Sequence, residues 1–112
     1  MYIIGILTDS GYLYGDVKIA AERAGFEPLG PNAFIKDDNK IIIDHVCHIP
    51  KVFTGKEINQ CVIYTFEPIE HHSQLYQSSI NIIGEFVHVN PYGAGLEPIL
   101  KLEEIFSKRG NQ

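Results

Sequence analysis

Hydrophobic positions run consecutively at the start of the chain. YIIGILT (2–8) is apolar on both alternating faces and rich in β-branched residues, the pattern of a central strand covered on both sides, with Gly5 marking a close approach. The period then changes. Val17, Ala20, Ala21 and Ala24 follow i, i+3, i+4, i+7, which predicts a short helix with Asp16 at its N-cap, DSGYLYG (9–15) as the turn before it and Gly25 as its stop. AFIK and KIIIDHV, joined by Asp37, Asp38 and Asn39, read as a β-hairpin over 33–46. KVFTGKEINQ (51–60) reads as a loop, CVIYTFE (61–67) as a further strand closed by Pro68, and the polar EHHSQLYQSS as a loop or one helical turn.

INIIGEFVHV (80–89) is the longest strand candidate, apolar on both faces for much of its length. A closing helix follows, with Ile99, Leu102, Ile105 and Phe106 as its apolar stripe, Pro98 as its first helical residue, Glu97 at or beside the cap and Gly110 as its stop. The predicted order is β-α-β-β-β-β-α. It suits an α+β fold, a two-layer sandwich in which a mainly antiparallel sheet of about five strands carries two helices on one face. The near-echo of AGFEPL (24–29) in AGLEPI (94–99) follows a helix in one case and precedes one in the other, so it is read as shared turn chemistry and not as a repeat.

Composition adds limits. With 112 residues, 45% of them hydrophobic and 21% charged, and no linker-like break, a single domain spanning 1–112 is expected. MYIIGILTD lacks a basic start and meets Thr8 and Asp9 too soon for a signal segment, and no apolar run reaches the roughly 20 residues of a membrane span. A cytoplasmic protein without membrane contact is the expectation. Cys47 and Cys61 read as reduced thiols in that compartment. The net charge of −5 and the scattered lysines oppose nucleic-acid binding, which needs clustered cations.

Candidate chemistry gathers in the loops. NPYGAGLEP (90–98) has the glycines of an anion cradle at a helix start, but Glu97 would place a carboxylate where a phosphate belongs, and neither nucleotide-binding glycine motif is present. Tyr12, Tyr14 and Tyr92 stand beside glycines in connectors expected to share one end of the sheet, where they can stack on a ring or anchor a partner protein. Together with Asp16, Asn90, Gly93 and Gly95 they form the candidate binding set.

Asp44, His45, Cys47 and His48, with Glu70, His71 and His72, have residue types that ligate zinc, although the spacing matches no known structural or catalytic zinc pattern. His45, His48, His71 and His72 are the ligands a metal site would use. Ser10, Cys47 and Cys61 lack the surroundings of an activated nucleophile, and a carboxylate pair drawn from Asp9, Asp16 and Glu97 would be arbitrary. The balance leans away from an enzyme, and no cofactor is expected.

The first functional reading is therefore a small acidic binding module of the inhibitor or immunity type, covering a basic surface of a target protein. Asp9, Asp16, Asp37, Asp38, Glu67 and Glu70 are its candidate contacts. A second is a sensor or sequestering protein for a nucleotide-like ligand, with Tyr14 and Tyr92 on the ring and the amides of Gly93 and Gly95 at a phosphate, in a homo-oligomer paired through a sheet edge or residues 61–67. A zinc-dependent hydrolase is the third.

Overall fold

A computed structural model describes residues 1–46, 52–68 and 80–110. Six strands form one mixed sheet in the order β2-β3-β4-β1-β6-β8: β1 (Tyr2–Thr8), β2 (Glu27–Pro28), β3 (Ala33–Lys36), β4 (Asn39–His45), β6 (Gln60–Tyr64) and β8 (Phe86–His88). β5 (Glu57–Ile58) and β7 (Asn81–Ile82) make a separate parallel pair. The helices are α1 (Gly11–Arg23) and α2 (Glu97–Gly110). The α+β class holds. The sheet, however, is larger than the expected five strands and is not mainly antiparallel, because β4, β1, β6 and β8 all run parallel and only β2 and β3 oppose their neighbours.

Parallel order explains the apolar runs. Ile4, Ile6, Ile41, Ile43, Val62 and Tyr64 point to one face, into a core shared with Leu13, Val17, Ala20 and Ala21 of α1 and Ile99, Leu102 and Phe106 of α2. Leu7, Ile42, Cys61 and Ile63 point to the other, under Phe53, Ile58 and Ile80. Strands buried on both sides need apolar residues at every position. Gly5 belongs to this second face: a Cβ there would stand 3.0 Å from Cε2 of Phe53 and 3.2 Å from Cγ2 of Ile58, so its bare backbone seats the Phe53 ring. Burying that ring is worth about 1.5–3 kcal/mol.

α1 begins six residues before the predicted start. Ser10 is its N-cap, in an extended conformation, and its side chain accepts from the amide of Tyr12. The buried stripe starts at Leu13, which continues the phase of Val17, Ala20 and Ala21, so packing carries the helix through Gly11 and Gly15 despite their propensity cost. At its other end the Phe26 amide donates to Ala21 O at 2.9 Å and the Gly25 amide to Glu22 O at 3.0 Å, with Gly25 at φ +91°, a Schellman cap.

The hairpin forms as predicted, with Asp37 at φ +52° in a two-residue turn. INIIGEFVHV does not form one strand. It divides into β7 and β8 because Gly84 meets another part of the chain: a Cβ there would fall 1.7 Å from Asn59 O. No helix among the described residues is long and apolar enough to cross a membrane.

Candidate functional site

Every parallel strand of the large sheet ends at the same rim, at Thr8, His45, Tyr64 and His88. Both helices start there, α1 two residues beyond β1 and α2 after the 89–96 connector, so they run parallel to each other along one face. β1 and β6 are neighbours whose ends diverge at this rim, the chain after β1 turning into α1 on the helical face while β6 leads into the 65–68 turn.

Asp9 spans that divergence. Its Oδ1 accepts from the Phe66 amide at 3.0 Å and its Oδ2 from the Glu67 amide at 2.9 Å, so the end of β1 fixes the turn that follows β6. Thr65 Oγ1 donates to Glu67 O at 2.7 Å and tightens the same turn. The Phe66 ring is thereby presented outward, 40% exposed, and meets Tyr92 at 5.4 Å between centroids with 58° between planes. Tyr92 is held from its own side, since its amide donates to Asn90 Oδ1 at 2.9 Å and its hydroxyl to Phe66 O at 3.5 Å. Tyr92 remains 69% exposed and Tyr12, on the first turn of α1, 82% exposed. Leu96 and Leu100 add exposed apolar surface at the start of α2.

The other predicted residues have different surroundings. The Tyr14 hydroxyl donates to Pro31 O and lies 2.9 Å from Asn32 Oδ1, bracing α1 against the turn before β3, and burial raises its pKa. Asp16 is inside α1 rather than at its cap. Its Oδ2 accepts from the hydroxyl of the fully buried Tyr64 at 2.6 Å, linking the helix to β6. Desolvation first, and then the hydrogen bond and the charge of Asp16, raise the Tyr64 pKa strongly.

The glycines do not form an open cradle. The Glu97 side chain lies against Gly93, with its Oε2 3.1 Å from where a Gly93 Cβ would stand, while Gly95 makes a turn at φ +58°. The carboxylate thus stands beside the start of α2, as its place before Pro98 suggests.

Tyr14 and Tyr92 therefore share the carboxyl end of the sheet but engage different neighbours, Tyr14 beside β3 and Tyr92 beside β6. β6 separates β1 from β8, so the two connectors are not adjacent. β6 is also paired on both sides, which removes residues 60–64 as an edge for self-association. Of the residues considered for metal, Cys47, His48, Glu70, His71 and His72 lie outside the described residues. Among the described ones no group of three or more His, Cys, Asp or Glu converges. Cys61 is a buried free thiol.

Two features escaped the sequence reading. The apolar run CVIYTFE predicts Phe66 inside a strand, although an aromatic between a strand end and Pro68 is placed to emerge at a turn. The role of Asp9 as a double amide acceptor depends on Phe66 and Glu67, more than fifty positions away, and no local pattern announces it. Compared with protein-family models, curated proteins and solved structures, the chain matches none of them.

Proposed function

We propose that the chain is a non-catalytic binding module whose carboxyl-end rim covers a surface of a target protein, in the manner of an inhibitor or immunity protein. The observation that carries this reading is the Phe66–Tyr92 ring pair, held outward by the Asp9 carboxylate and the Asn90 turn. Rigid aromatics lose little conformational entropy when a partner buries them, which is why such residues dominate binding energy at protein interfaces. Tyr12, Leu96 and Leu100 enlarge the exposed apolar surface of the same rim. The net charge of −5 favours encounter with a basic partner.

The acidic contacts need revision within this reading. Asp9 and Asp16 are occupied inside the molecule, so they position the rim and do not reach across an interface. A nucleotide-like ligand is less well served, because the Glu97 carboxylate lies against Gly93, where the phosphate would have to approach.

The test uses the partner that co-purifies from the source cell. Tyr92→Ala and Phe66→Ala should each weaken its binding by about 1–3 kcal/mol while leaving the melting temperature within a few degrees. Unchanged affinity in both variants would refute the rim as the binding surface. A melting temperature raised by a nucleotide but by no protein would replace this reading with the ligand-sensing one.

A further inference from the structure

The two edges of the large sheet differ. β2 is two residues long and contains Pro28, whose missing N–H and neighbouring Glu27 discourage another strand from joining. β8 (Phe86–His88) contains no proline. Its pairing with β6 uses Glu85 O, which accepts from the Cys61 amide at 3.3 Å, and the Val89 amide, which donates to Ile63 O at 3.0 Å. In a parallel ladder alternate residues bond to a given neighbour, so the N–H and C=O groups of Phe86 and His88 are directed to the open side. No described residue meets them there.

A groove of about 370 Å³ runs beside this edge, between β8 and α2. Val87 and Val89 line its strand side, Ile105 its floor, and Lys101 and Lys108 its far wall with Glu104 between them. In a chain of net charge −5 this wall carries two lysines, held among the described residues by exposed i,i+4 pairs to Glu97 at 3.7 Å and Glu104 at 3.9 Å. Such pairs contribute little and exchange readily.

We propose that β8 and α2 form a second binding site, one that takes an extended, acidic segment of a partner protein as an added strand. Its backbone bonds to Phe86 and His88. On the α2 side, an apolar residue packs on Val87 and Ile105, and acidic residues two positions before and after it reach Lys101 and Lys108, following the two-residue period of a strand. The charges argue against a second copy of this chain. Lys101 and Lys108 flank Glu104 and Ile105 symmetrically in sequence, so an identical chain laid antiparallel across the edge would set lysine against lysine. The site adjoins the aromatic rim at Asn90, which lines the groove and also holds Tyr92, but its test does not depend on the rim.

The test titrates the isotope-labelled full chain with a synthetic nonapeptide whose central five residues alternate glutamate, serine, valine, serine and glutamate. A control peptide carries lysine for glutamate. Amide hydrogen exchange at Phe86 and His88 should be fast in the free protein and slow on adding the acidic peptide, with no effect from the control. The exposed double variant Lys101→Glu/Lys108→Glu, with an unchanged circular dichroism spectrum, should weaken binding about tenfold. Three results would each overturn the proposal: no change at millimolar acidic peptide, equal binding of both peptides, or a dimer of the free chain with Phe86 and His88 already protected.

Discussion

At the scale of single residues, Gly5 and Gly84 make opposite demands. Alanine at Gly5 would crowd the ring edge of Phe53, which can shift, so Gly5→Ala should cost about 1–3 kcal/mol in urea unfolding. Alanine at Gly84 would collide with the Asn59 carbonyl, which is backbone, and Gly84→Ala should abolish cooperative unfolding or remove more than about 3 kcal/mol. The buried ionisable groups give a pH dependence. Burial pushes the Cys61 thiol from 9.0 up to about 12, and the Tyr64 hydroxyl is raised from 10.0. In both cases the unfolded chain loses its proton first, so above pH 9 it holds fewer protons than the native state and stability falls as pH rises. Their contribution is complete below pH 9 and is lost progressively toward pH 12. Urea midpoints measured across this range should decline, and Cys61→Ala should flatten the part of the slope nearest pH 9.

At the scale of elements, Ser10 and Asp16 show what could be read along the chain. Leu13 stands four residues before Val17, so the apolar stripe already pointed to an earlier helix start, and Ser10 was the nearest capping residue ahead of it. Glycine at 11 and 15 and the strong capping preference of aspartate drew the expectation to Asp16 instead. Ser10→Ala should lower stability by about 1 kcal/mol, whereas Asp16→Ala should act by leaving the Tyr64 hydroxyl without its acceptor, at about 1–3 kcal/mol. The ratio of the two losses, measured in the same denaturant series, distinguishes a cap at Ser10 from one at Asp16. The 33–46 hairpin was legible because its turn chemistry and alternation are local. The division of 80–89 was not, since it depends on Asn59 meeting Gly84. Nor was the direction of the strands. The fully apolar runs of β1, β4 and β6 carried the mark of parallel pairing, but the hairpin beside them suggested an antiparallel sheet, and both patterns are present in one mixed sheet.

For the whole molecule, Tyr14 and Tyr92 stand at the carboxyl end of the sheet, and no local pattern in the sequence predicts their partners. Tyr14 braces α1 and Tyr92 pairs with Phe66, a division set by strand order. If the rim meets a basic target, association should slow about tenfold between roughly 50 and 300 mM salt, with dissociation little changed. Stopped-flow mixing with the co-purified partner measures both rates. The central place of β1 has a further effect, on how the chain reaches its native state. YIIGILT precedes both of its strand neighbours in the chain, residues 39–45 and 60–64. Until residues 60–64 have left the ribosome, that stretch lacks one or both of its strand neighbours and is a natural target for chaperones. Closing such distant pairings should place refolding on the millisecond-to-second scale of non-local β topologies, not the microseconds of a helical bundle.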